Sequence, residues 1–175
     1  MQSVVANGEK YLDLLSQLLN NAAAIRYPRS IEELVVLQVS PRKGLIGWLI
    51  ENKEIRLEKS AYLDCDEVAR KTGDTPAYRI SRFSYHFHGA PELMDFRIDL
   101  RNGDLHVNPD DRAGLPAAHL RPGKGLHLDV DNFNLFLAIH VVWWYLKRKQ
   151  YPLNPKNAQV LNRILGRLRR RLASG

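Results

Sequence analysis

Along residues 9 to 20, EKYLDLLSQLLN, the apolar positions Tyr11, Leu12, Leu15, Leu18 and Leu19 recur at helical spacing, and Asn20-Asn21 offers a stop. This pattern predicts an amphipathic helix. From Glu33 the period shortens. LVVLQV and LIGWLI are brief, β-branched or aromatic, and flank the turn signal Ser40-Pro41-Arg42-Lys43-Gly44, so they predict a hairpin. EIRLEKSAYLD then sets Ile55, Leu57 and Lys59 against Arg56, Glu58 and Ser60, as a third strand with one wet face would. Residues 66 to 77 are polar, end in a Gly-Asp-Thr-Pro signal and read as a loop.

Residues 82 to 88, RFSYHFH, alternate at every step. If Phe83, Tyr85 and Phe87 face a core, a period of two puts Arg82, Ser84, His86 and His88 on the opposite face. After a turn at Gly89-Ala90-Pro91-Glu92, Met94, Phe96, Ile98 and Leu100 point inward, leaving Asp95, Arg97, Asp99 and Arg101 outside. The same alternation returns in GDLHV around His106 and in LHLDVD, where Leu126, Leu128 and Val130 flank His127, Asp129 and Asp131.

From Asn132 the pattern becomes helical again. NFNLFLAIHVVWWYLKRKQ is apolar nearly all round, with Asp131 or Asn132 as cap and cations at the end that the helix dipole favours, and it stops before Pro152. A second helix starts near Pro155, with Val160, Leu161, Ile164, Leu165, Leu168 and Leu172 on one side and Arg163, Arg167 and Arg170 among the cations elsewhere. The expected fold is therefore α+β: an antiparallel sheet of about five to seven strands, an N-terminal helix and two C-terminal helices. Residues 1 to 131 form the α+β part, and residues 132 to 175 are a basic helical extension packed on the same domain.

At 175 residues, 45% of them hydrophobic, the chain suits a single domain with a real core. One cysteine, Cys65, excludes an internal disulfide and a cysteine-based metal site and points to a reducing, cytoplasmic setting. The longest apolar run contains His140 and is too short to span a bilayer, so no membrane partner is expected. The net charge of +7 is concentrated at one end: residues 132 to 175 hold nine Lys or Arg and no acid, against 17 cations and 19 acids before them. Such asymmetry suits a polyanion or an acidic partner, and equally a solvated basic helix face.

Five of the six histidines, His86, His88, His106, His119 and His127, fall within residues 86 to 127, among Arg97, Arg101, Arg121 and Lys124. Imidazoles move protons near neutral pH and guanidinium groups grip phosphate through paired hydrogen bonds. RNA cleavage without a metal needs a base for the ribose 2′-hydroxyl, an acid for the leaving oxygen and cations for the phosphorane. His86 is the first candidate for base or acid, with His127 or His88 as its complement. Arg97 and Arg82 would hold phosphate, Asp99 would orient a histidine or an arginine, and Tyr85 is a spare acid should it turn outward. Arg101, Arg121, Lys124, Arg163, Arg167 and Arg170 are candidate nucleic-acid contacts. No cofactor or metal is assigned. His86-x-His88 and His127-x-Asp129-x-Asp131 have metal-ligand character, but the nearby arginines oppose a cation. His140, amid apolar helix residues, reads as a core histidine. Arg79 and His86 match the Arg-x6-His spacing of helical HEPN ribonucleases, yet stand in a stretch of strand periodicity.

The order of YLDLLSQLL, KGLIGWLIENKEIRLEK, YHFH and FRID, followed by a histidine-bearing segment, resembles the TumE-like toxins of bacterial toxin-antitoxin systems over roughly residues 9 to 129. The matches are Phe83, Tyr85 and His86, then Phe96, Arg97 and Asp99, and more loosely His106, His119 and His127. Where such proteins continue with Asn-Ala-Pro-His-His, this chain has RNGDLHVNPDD, and the basic tail is an addition. The resemblance implies a small bacterial toxin, an RNase held by a cognate antitoxin; joined to the histidine and arginine chemistry above, the expectation is a metal-independent endoribonuclease with RNA and that antitoxin as partners and a homodimer left open. The alternative is a non-catalytic nucleic-acid-binding or assembly subunit of a bacterial defence complex.

Overall fold

A computed structural model describes residues 3–89, 91–116 and 118–174. It shows an α+β fold, with one large antiparallel sheet, an N-terminal helix and two C-terminal helices. Strands β4 (Gly44–Leu57), β5 (Tyr62–Lys71), β6 (Tyr78–His88), β7 (Phe96–Arg101) and β8 (Asp104–Pro109) lie side by side in chain order. The free edge of the long β4 is shared by β2 (Ile25–Tyr27) and β3 (Val36–Ser40), and β1 (Ser3–Val5) runs beside the start of β6. β7 and β8 join through Asn102 and Gly103, at φ 53° and 77°, the positive pair that a tight two-residue hairpin demands.

One face of the sheet is covered by α1 (Gly8–Asn21) and α3 (Leu135–Arg148), with α4 (Pro155–Ala173) packed against both. Phe83, Tyr85 and Phe87 alternate inward as their spacing predicts, meeting Phe133 and Tyr145. Buried residues of α1, the sheet, α3 and α4 form one continuous core, so residues 132 to 174 complete the same hydrophobic unit. Each long helix has an asparagine cap: Asn7, Asn134 and Asn154 accept from Lys10, Leu137 and Lys156 main-chain N–H groups. No helix among the described residues is long and apolar enough to cross a membrane.

Several expectations need correction. Residues 66 to 71 are not loop but the second half of β5, in which Cys65, Glu67 and Ala69 all point inward. A carboxylate at an inward position disguises the alternation. EIRLEKSAYLD is two strands broken by a 3₁₀ turn at Glu58–Ser60. Only Gly125–Leu126 of the segment around LHLDVD is strand, here β10, bridged in parallel to β9 (Arg121–Pro122). Beyond it Asp129 and Asp131 are drawn to α4, where Arg169 binds the Asp129 carboxylate at 2.6 Å and both residues' carbonyls. α3 is capped by Asn134, not Asp131 or Asn132, because Phe133 must first turn into the core. The turn expected at Gly89-Ala90-Pro91-Glu92 includes Ala90, outside the described residues.

Two polar groups in the core have consequences for stability. Glu67 is wholly buried beneath the sheet, and among the described residues no cation pairs with it. Its oxygens accept from Tyr11 Oη at 2.9 and 3.1 Å, Trp48 Nε1 at 2.6 Å, the Leu135 N–H at 3.0 Å and Tyr85 Oη. Burial raises its pKa above the usual carboxylate range, while the donors pull it back down. Glu67→Ala orphans four buried donors, and at about 1 to 3 kcal/mol for each we expect a loss of about 4 kcal/mol or more. Urea unfolding should show this, with the exposed Glu51→Ala nearly neutral as the comparison.

His140 packs between Phe136 and Trp143, its Nε2 buried without a hydrogen-bond partner. Burial, with a smaller contribution from Arg171, lowers its pKa to about 4. Below pH 6.5 the unfolded chain takes up a proton that folded His140 refuses, so stability should fall between pH 6.5 and 4, by up to about 3 kcal/mol. His140→Phe should flatten this part of the stability–pH curve.

Candidate functional site

The outer face of β5 to β8 carries no helix and collects the polar half of every alternation. Register sets its rows. Asp64 on β5, His86 on β6, Arg97 on β7 and Asn108 on β8 lie opposite one another, and the next row is Asp66, Ser84, Asp99 and His106. Arg82 and His88 extend the β6 column at either end. The expected His86, His88, Arg82, Arg97, Asp99 and Arg101 therefore share one face.

Asp99 is the centre of the second row and only 8% exposed. Ser84 Oγ donates to its Oδ1 at 2.6 Å, while Arg97 Nε at 2.6 Å and Asn108 Nδ2 at 3.0 Å donate to Oδ2. His106 Nε2 stands 3.5 Å from the same Oδ2. The other His106 nitrogen is buried, 3.4 Å from Asp104 Oδ2 but without hydrogen-bond geometry. Asp104 is itself gripped by Arg121 at 3.1 Å, which holds its carboxyl below the usual range.

A cleft of about 590 Å³ runs over this row, lined by Arg82, Ser84, Arg97, Asp99, Arg101 and His106 and closed on the β4 side by Glu51 and Asn52. A shift in register between Ile50 and Lys53 lifts this corner, where the Asn52 N–H donates to Asp66 Oδ1 at 3.0 Å. A second cleft of about 340 Å³ is lined by His86, Asp95, Arg97, Asn108 and His119. Arg97 belongs to both, so one guanidinium stands between His86 and His106, whose strands lie two spacings apart, about 10 Å.

His86 is half-buried. Burial first, then the neighbouring His88 and Arg97, lower its pKa, so it is neutral at pH 7. Its ring centroid lies 3.7 Å from that of His88. His88 stacks on Tyr62 and directs Nε2 toward Asp64 at 3.0 Å. Among the described residues, Asp64, His86 and His88 are the group whose donor atoms lie close enough to share a metal ion, within 4.8 Å of one another.

Other expected site residues lie elsewhere. Tyr85 is fully buried on the inner face, bound to Glu67, and its hydroxyl pKa is raised by burial and by Glu67, so it supplies no outward acid. His127 is exposed beyond β10, its carbonyl bound by Asn162 of α4 at 2.9 Å, on the helical side of the molecule. Arg163, Arg167 and Arg170 also lie on α4 and do not line the histidine face. Arg121 and exposed Lys124 stand beyond the β8 edge, the first spent on Asp104. His106, one of the clustered histidines of the sequence, is brought to Asp99 by a pairing that spacing within a strand did not reveal. The signal was its place opposite Asp99 across the Asn102-Gly103 hairpin.

The chain matches no protein-family model, no curated protein and no solved structure.

In proton NMR titrations the His86 imidazole should have its midpoint below the ordinary 6.5, and His88→Asn, which removes the neighbouring ring that helps lower it, should move it upward. An unchanged midpoint would show that His88 does not bear on it.

Proposed function

We propose that this chain is a metal-independent endoribonuclease of the TumE-like toxin type, acting through the outer face of β6 to β8. The observation that carries the reading is Arg97, fixed by Asp99, between two histidines in different electrostatic settings. Neutral His86, its pKa lowered, suits the general base. His106, whose Nε2 is held 3.5 Å from Asp99 Oδ2, is placed on the other side of Arg97, where a general acid is needed.

The chemistry follows from these positions. His86 removes the proton of a ribose 2′-hydroxyl as that oxygen attacks the adjacent phosphorus. Arg97, with Arg82 and Arg101 from the neighbouring cleft, stabilises the charge on the phosphorane oxygens. His106 gives its proton to the departing 5′-oxygen. The products are a 2′,3′-cyclic phosphate and a 5′-hydroxyl, and water later restores the two protonation states. Asp99 holds Arg97 and His106 and takes no part in proton transfer.

α4 has a separate role in this reading. Lys156, Arg163, Arg167 and Arg170 are exposed along it, and none forms an ion pair among the described residues. They lie on the helical side, away from RNA bound over the histidines, which favours an acidic antitoxin segment as the group they receive.

The test is cleavage of mixed-sequence RNA by purified protein in chelator. The expected outcome is cleavage that His86→Ala and His106→Ala each reduce at least about 10²-fold, with RNA binding retained. Loss of binding and activity together, or abolition by chelator, would overturn the reading. Steeply salt-dependent binding without any cleavage would identify a binding module instead.

A further inference from the structure

The lower end of the histidine face, beyond Arg97, holds a second arrangement that proton transfer leaves unexplained. Asp64 and His86 are directly opposed on β5 and β6, and His88 follows two residues later on the same face. One ligand-capable atom from each lies within 4.8 Å of the others. In a tetrahedral zinc site with bonds of about 2.0 to 2.1 Å, ligand atoms stand about 3.3 Å apart. Asp64 Oδ2 and His88 Nε2 are already 3.0 Å apart, and the two imidazole centroids 3.7 Å. An ion can therefore replace the Asp64–His88 hydrogen bond with small side-chain movements.

The surroundings fit the same purpose. His88 is oriented from three sides. Tyr62 stacks on its ring at 4.3 Å with planes 17° apart, Asp64 faces Nε2, and Asp95 Oδ2 faces Nδ1 at 3.7 Å. The Gly89 N–H fixes Asp95 through its other oxygen at 2.8 Å. When an ion takes the place of the Nε2 proton that Asp64 accepts, Asp95 stands on the side of the far nitrogen, where the proton of a metal-bound imidazole belongs. The cation that would repel an ion, Arg97, is turned to Asp99 at 2.6 Å. Asp64 is half-exposed, so the position opens to solvent.

We propose that Asp64, His86 and His88 form a site for one divalent transition-metal ion of the zinc class, with Asp95 as the positioning residue for His88. Two imidazoles and one carboxylate are the donor set such ions take, and the outward side leaves a fourth position for water. One consequence rests on the ribonuclease reading above. An ion on His86 occupies the lone pair that would accept the 2′-hydroxyl proton, so metal loading switches cleavage off.

The experiment is calorimetric titration of the metal-stripped full chain with zinc, repeated with cobalt while recording its visible absorption. Neither readout involves RNA. The expected result is one ion per chain with tetrahedral cobalt absorption. Affinity should fall at least about tenfold in His88→Ala and in Asp64→Asn, and by about tenfold in Asp95→Asn, while His119→Ala and His127→Ala leave it unchanged. Zinc affinity unchanged in His88→Ala, or lowered equally in His119→Ala, would overturn the site. A chain that binds zinc as expected but cleaves RNA equally well with it would keep the site and overturn His86 as base.

Discussion

A single buried carboxylate, held by hydrogen bonds and not by an ion pair among the described residues, organises this molecule. Glu67 lies under the sheet and gathers donors from four places, α1, β4, β6 and the first turn of α3. Burying a charge is costly unless hydrogen bonds replace its hydration, and here two phenols, an indole and the positive end of a helix do so. The grouping also determines register. With Tyr85 bound to Glu67 inside, the period of two commits Asp64, Asp66, Ser84 and His86 to the outside. A slip of one residue between β5 and β6 would strand the carboxylate in solvent and drive histidines into the core. The candidate site is thus held in place from the opposite face of the sheet.

That outer face carries two centres of different character joined by Arg97. Around Asp99, three firm donors and a nearby imidazole surround one nearly buried carboxylate, an arrangement that fixes side chains in place. Around His86 and His88 the carboxylates Asp64 and Asp95 are more exposed, so this centre opens to solvent. Rigidity at one centre and access at the other are what a site needs when one part positions and the other exchanges protons or ions.

Much of this was legible in the chain. Strict alternation in residues 82 to 88 identified both the core side and the polar side of β6, and helical spacing located α1, α3 and α4. What escaped had physical reasons. The inward Glu67 made half of β5 look like loop, and three-residue strands such as β1 and β2 leave no period to read. Around His127 the alternation is real, but among the described residues only Gly125 and Leu126 find a strand to pair with, and Arg169 captures the aspartates instead. Tyr85 kept its inward position, and there its hydroxyl was already committed. The partnership of His106 with Asp99 depends on which strands are neighbours, which periodicity within a strand does not encode.

The other margin of the sheet has its own consequence. Among the described residues β3 pairs only with β4, and Val36, Leu37 and Val39 are 59%, 51% and 64% exposed along it. An apolar strand with one unpaired side is a template for a further strand, and crowding at that margin leads to fibre-like assembly unless something keeps copies apart. Here the adjoining turn supplies exposed Arg42 and Lys43, two like charges that a second molecule would have to approach. Those charges oppose edge-to-edge approach at this corner, a protection that rising ionic strength thins.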